Sequence, residues 1–202
     1  MKPAAALAAL LAAALLVPAP ALAGAQIYQP LADSVRTALS HAISDEAPPT
    51  LEFRNPQDGR RWLQEMSRRL RKFVPDRGTR IALLKSVQYE ATRAGLDPQL
   101  VLGVIDVESH FRKYAVSAAG ALGYMQVMPF WVKLIGRPRD NLFHLRTNLR
   151  YGCVILRFYL DLEHGDYFRA LGRYNGSLGQ PQYPDAVYAA WKGRWKYSGP
   201  TN

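Results

Sequence analysis

The stretch "DPQLVLGVIDVESHF", residues 97–111, decides the fold class and raises the functional question. Asp97 followed by Pro98 is a helix start, a capping carboxylate and then the residue best tolerated at the first helical position. Along the helix that follows, Leu100, Val101, Val104 and Ile105 share one face. Positions 101, 105 and 108 obey the i, i+4, i+7 rule, so Glu108 falls on the apolar stripe. Asp106, two residues earlier, is expected to point elsewhere, into water. Desolvation on the stripe and the partly negative C-terminal end of the helix both disfavour the Glu108 anion, so its pKa is expected to rise. Such a carboxyl keeps its proton near neutral pH and can act as a general acid. The competing reading is a helix that ends one turn early, leaving Glu108 to water or to an ion pair with Arg112.

Outward from this helix, the chain reads as a succession of others. "TRIALLKSVQYEATRAG" places Ile81, Leu84, Val87 and Ala91 on one face, and Gly95 supplies the stop. "TNLRYGCVILRFYLDLEHG" carries Leu149, Cys153, Leu156 and Leu160 at steps of three and four, which predicts a long helix buried on one side. "DYFRALGRY" continues the pattern to a turn at Asn175-Gly176, and Tyr183, Val187, Trp191 and Trp195 mark a last helix by their step of four. One segment differs. In "AVSAAGALGYMQVMPFW", residues 115–131, Gly120 and Gly123 lie too close together for a helix, which predicts a glycine-containing turn or short β-hairpin facing the end of the Glu108 helix.

Residues 24–78 read as a helical and linker region ahead of a domain spanning 79–202. Within it, "PLADSVRTALSHAI" suits a short helix and "SDEAPPTLEFRNPQDG" a linker. In "GRRWLQEMSRRLRKFV", Trp62, Met66, Leu70 and Phe73 recur at helical spacing opposite a face of arginines, the pattern of an amphipathic helix packed on the domain and ended by Pro75 and Gly78. The first 23 residues have the features of an export signal: Lys2, an apolar run from Ala4 to Val17, then Ala21-Leu22-Ala23 as the cleavage site. That run is shorter than the ~20 residues of a spanning helix, so no stable membrane insertion is expected once the signal is removed.

The formal net charge is +10, and losing the leader removes one lysine and no acid, leaving +9. This favours a polyanionic partner, which for an exported protein means the cell wall or lipid headgroups; no nucleic-acid-binding motif is present. The one cysteine, Cys153, sits in an apolar helical pattern and is read as a buried structural thiol.

Residues 108–129, "ESHFRKYAVSAAGALGYMQVMP", resemble the catalytic signature of lytic transglycosylases of the soluble-lytic-transglycosylase (SLT) type: E-S, then A-x-S-x-x-G-A-x-G-L-M-Q, then M-P. "NLRYGCVILRFYL" resembles the family's N-L-x-x-G helix, and "LGRYNGS" its A-Y-N-x-G motif, in the same order. The resemblance runs from about Thr79 to about Trp191. It implies a mainly α, lysozyme-like domain that cleaves the β-1,4 bond between N-acetylmuramic acid and N-acetylglucosamine in peptidoglycan glycan strands of the bacterial periplasm, with no metal and no cofactor.

By position in the motifs, Glu108 matches the single catalytic acid/base. Ser117 matches a serine near the N-acetyl group of the reacting sugar, and Gln126 and Met128 match residues lining the cleft. Tyr174 and Asn175 match a tyrosine-asparagine pair, whose tyrosine is expected to interact with the catalytic glutamate. Tyr124 replaces the usual leucine and would bring a phenol to the cleft edge. Gly176-Ser177 replaces a frequent Ala-Gly, and the Glu-Thr pair common before the last tyrosine is missing, although Tyr183 matches that tyrosine and is a sugar-binding candidate. Trp131, Tyr183, Trp191 and Trp195 all have faces suited to a pyranose, but Trp191 and Trp195 are read as core from their spacing.

Ordinary glycosidases need two flanking carboxyl groups. The resemblance implies that Glu108 alone protonates the leaving oxygen, that the sugar's own N-acetyl group stabilises the cationic centre, and that deprotonated Glu108 then activates the muramic acid 6-hydroxyl to give a 1,6-anhydro end. In keeping with this, no second carboxylate is expected in an apolar pattern: Asp140, Asp161, Glu163, Asp166 and Asp185 lie in polar or turn surroundings. Two other functions fit the same fold: a goose-type muramidase that hydrolyses the bond, and a non-catalytic wall-binding or assembly protein.

Overall fold

The computed structural model describes residues 26–199; the leader and its cleavage site after Ala23 lie outside the described residues. Eight α-helices follow in order: α1 (Asp33–Ile43), α2 (Pro56–Leu70), α3 (Arg77–Arg93), α4 (Pro98–Ser109), α5 (Phe130–Ile135), α6 (Leu145–Leu162), α7 (Tyr167–Asn175) and α8 (Gln182–Ala189). A π-helical turn, Ala190–Arg194, extends α8. The fold is mainly α. Among the described residues the only β structure is a pair of isolated bridges, Val116 to Leu122 and Leu122 to Val127, so the expected hairpin region is a bridged turn.

Local chemistry sets the helix starts. Asn55, Asp76, Asp97 and Asp166 each cap a helix by accepting a backbone N–H from Gln57, Thr79, Gln99 and Arg169. Pro56 and Pro98 occupy the first helical positions of α2 and α4. Gly78 lies in the first turn of α3 and is not the stop expected from sequence; α2 ends at Leu70. Gly176 ends α7 in the left-handed conformation with φ +80°, as Asn-Gly suggests.

Helix α4 is the axis of the molecule. Every residue from Gln99 to Asp106, with Glu108 and Ser109, is buried. It contacts α3, α8 and the π-turn, while α6 packs on α3 and α7. The α6 stripe, Leu149, Cys153, Leu156 and Leu160, is buried as its spacing requires, and burial holds the Cys153 thiol in its neutral form. Trp191 and Trp195 are core, each tied down by its indole N–H: Trp191 donates to Asp97 (2.7 Å) and Trp195 to Asp106 (3.0 Å). Trp131 is also interior, edge-on to Phe158 and Tyr159.

The N-terminal helices share this core. Trp62, Met66 and Leu70 of α2 are fully buried, and the Trp62 indole donates to Gln99 at the start of α4 (3.0 Å). The loop after α1 joins an ion network in which Arg93, Arg146 and Arg150 surround Glu90, and Arg93 and Arg146 also reach Asp45.

Two carboxylates therefore depart from expectation. Asp106 is not solvated: it is buried and accepts from Arg194 (2.7 Å) and Trp195. Glu90 is a second carboxylate deep in the protein, and burial holds its pKa above the ordinary value although three arginines oppose the shift. Both are satisfied by cations or indole N–H groups, which is the usual condition for burying a charge.

Candidate active site

Four pieces of chain meet at the C-terminal end of α4: its last turn, the bridged loop 110–129, the end of α7 and the start of α8. Ser109 pins the loop to the helix, its hydroxyl lying 2.7 Å from the Tyr124 carbonyl and 3.2 Å from that of Ile105. Just beyond, His110 and Phe111 both take positive φ (48° and 61°), a conformation that non-glycine residues adopt only where the surroundings enforce it.

The loop hangs on Asn148. Its carbonyl oxygen accepts the Met125 N–H (2.8 Å), and its amide donates to the carbonyls of Leu122 (2.8 Å) and Leu142 (2.9 Å). Gly123, at φ +76°, lets the two pieces touch, since a Cβ there would lie 2.7 Å from the Leu142 oxygen. Gly152 does the same for Met125, whose side chain fills the space a Cβ would take. The glycine of the N-L-x-x-G motif is thus a seat for the methionine of the Met-Gln pair. Gln126 is held in a left-handed conformation (φ 49°), its amide donating to the carbonyls of Ala115 (3.1 Å) and Gly123 (2.9 Å).

Glu108 sits at the centre. It is 5% exposed, and its Oε1 accepts a hydrogen bond from the Tyr183 hydroxyl at 2.7 Å. Its Oε2 has no protein partner, which is rare for a buried polar atom. Burial pushes its pKa up to about 8, with the Tyr183 hydrogen bond pulling in the opposite direction. The helix therefore does not end early, and the carboxyl is not paired with Arg112, whose guanidinium donates to the Ser109 carbonyl (3.0 Å).

The remaining sequence-predicted residues divide. The tyrosine that hydrogen-bonds Glu108 is Tyr183; Tyr174 lies within the electrostatic reach of Glu108 but donates to the Met125 carbonyl (2.7 Å). Asn175 is buried beside it at the end of α7. Tyr124 packs inside, 3% exposed, where a phenol at the cleft edge was expected. Ser117 is half-buried and serves its own turn, accepting the Ala121 N–H (3.0 Å). Met128 is half-buried and turns its N–H toward a residue that the sequence did not single out: Gln26, in the first described segment, whose side-chain oxygen accepts that bond at 3.3 Å. Asn148 is a second such residue, although it stands inside the quoted α6 motif.

Fold and site together define an α-helical, lysozyme-like domain. The chain belongs to the transglycosylase SLT domain family, which matches residues 85–190, just over half its length. A "Transglycosylase" of Enterobacteria phage PRD1 is 38% identical over 98 residues, covering 48% of this chain and 34% of the phage protein. A "Membrane-bound lytic murein transglycosylase C" of Actinobacillus pleuropneumoniae serotype 5b is 52% identical over 46 residues, 23% of this chain and 13% of that protein. The protein of the same description in Glaesserella parasuis serovar 5 is 39% identical over 87 residues, 39% and 24% of the two chains. This chain thus spans about a third or less of the length of these relatives. No solved structure gives a significant match. Among the described residues, no helix is long and apolar enough to cross a membrane.

Proposed function

We propose that this protein is a peptidoglycan lytic transglycosylase, exported to the periplasm by its first 23 residues, in which Glu108 is the sole acid and base. The observation that carries the reading is the asymmetry of the Glu108 carboxyl. One oxygen is occupied by Tyr183, and the other, buried and unpartnered, is free to hold a proton for a substrate oxygen. With a pKa of about 8 the group is mostly protonated at neutral pH, as a general acid must be.

Once that proton has passed to the leaving oxygen, the Tyr183 hydroxyl steadies the carboxylate left behind. The anion then takes a proton from the 6-hydroxyl of the same muramic acid, whose oxygen closes on C1. The proton is returned, no water is consumed, and the product is a 1,6-anhydro end. The surroundings of the other carboxylates support a single-acid reaction: Glu90, Asp106 and Glu163 are each engaged by arginine, which lowers their value as a base. The positive charge of the chain suits an anionic wall polymer.

Digestion of purified murein sacculi followed by mass spectrometry tests the reading. Anhydro-muropeptides are expected. Products heavier by one water would assign a muramidase, and tight binding with no loss of turbidity would assign a wall-binding protein.

A further inference from the structure

Gln26 is one of the most buried polar side chains of the molecule, at 3% exposure, yet it belongs to an extended segment whose next residues lie open: Ile27 is 60% and Tyr28 56% exposed. A single side chain is inserted and the backbone on one side of it rests on the surface, steadied by the Tyr28 ring edge-on to Phe130. The insertion point is the candidate site. The Gln26 carboxamide oxygen accepts the Met128 N–H (3.3 Å), and its NH2 donates to the Gln126 carbonyl (3.5 Å). It also reaches the Tyr174 hydroxyl, within the field of Glu108.

We infer that this segment is an autoinhibitory strap, with the Gln26 carboxamide occupying the position that the acetamido group of an N-acetyl sugar takes when substrate binds. The inference rests on the function proposed above. An acetamido group presents the same pair of atoms, a carbonyl oxygen for the Met128 N–H and an amide N–H for the Gln126 carbonyl. Substrate and strap therefore compete for the same backbone groups. The two bonds are long, so the strap is held weakly and glycan displaces it. With the leader cut after Ala23, Gln26 is the third residue of the mature chain, and it can swing out without disturbing any helix.

A strap closed nine-tenths of the time weakens apparent sugar binding about tenfold, because only the open fraction is competent. The test uses chains beginning at Gly24, with and without Gln26→Ala, and a chain beginning at Pro30, all carrying Glu108→Gln so that nothing turns over. Binding of tri-N-acetylchitotriose is measured by calorimetry, and hydrogen exchange at the Met128 amide reports the strap directly. Both altered chains are expected to bind roughly 3–10-fold more tightly and to lose Met128 protection in the free state. Equal affinity in all three, weaker affinity without Gln26, or no binding by the chain from Pro30 would overturn the strap. Sacculus clearing by the same chains with Glu108 restored separates the two proposals. If none clears sacculi while the affinity shift is present, the strap stands and the lytic function fails.

Discussion

Glu108 is an acid whose ionisation opposes folding. Its pKa is about 8 in the folded protein and near the ordinary 4.5 when unfolded, so the stability of the protonated form is complete below about pH 4.5 and drains away as pH rises toward 8. A glutamine in its place does not titrate. Glu108→Gln is therefore expected to be more stable than the parent at pH 7, by about 1–3 kcal/mol, with the difference vanishing near pH 4. Thermal melts of both proteins across that range check the crossing. The same substitution should lower the rate of sacculus clearing by about two to four orders of magnitude. Tyr183→Phe removes the one hydrogen bond that favours the anion, so the alkaline limb of kcat/KM should move upward by roughly half a unit to one unit. An unmoved pH–rate profile would mean that Tyr183 does not act on Glu108, and a downward one that it favours the protonated acid.

Among the elements, the loop 110–129 is shaped by contacts from outside itself. Asn148→Ala strips three hydrogen bonds from the Leu122, Met125 and Leu142 backbone at a buried site, which costs about 2–4 kcal/mol and should cut activity with it. Denaturant unfolding measures the first effect and sacculus clearing the second. Helix α4 was legible because its own residues state its start, its buried stripe and its acid. The loop was legible only as an interruption, since its glycines announce a turn but not which side chain will hold it. The same limit explains Asp106, whose arginine and tryptophan partners arrive from positions 194 and 195. It also explains Glu90, whose arginine neighbours Arg146 and Arg150 come from α6. A carboxylate at a polar-looking position reads as solvated until a distant cation is seen to cover it.

On the scale of the whole molecule, residues before the family's matched span are part of one core. Trp62 is completely buried and bonded to Gln99, so Trp62→Ala is expected to cost about 3–5 kcal/mol, as a core truncation does, and calorimetry of the variant checks it. A domain of residues 79–202 alone would expose the face of α3 that α2 covers and would leave Gln99 of α4 without the Trp62 indole. The periodicity of α2 shows that it packs on something; that it packs on α3 and reaches the start of the Glu108 helix through Trp62 required the structure. The segment around Gln26 had no sequence signal at all, because a glutamine in a loop becomes informative only when the groups it meets are known.

The central claim is that Glu108 holds its proton near neutral pH inside the site. Carbon-13 NMR titration of its side-chain carboxyl, assigned by comparison with Glu108→Gln, measures this directly. A midpoint near pH 8 is expected. A midpoint near the ordinary 4.5 would show a solvated carboxylate and would contradict the mechanism at its first step.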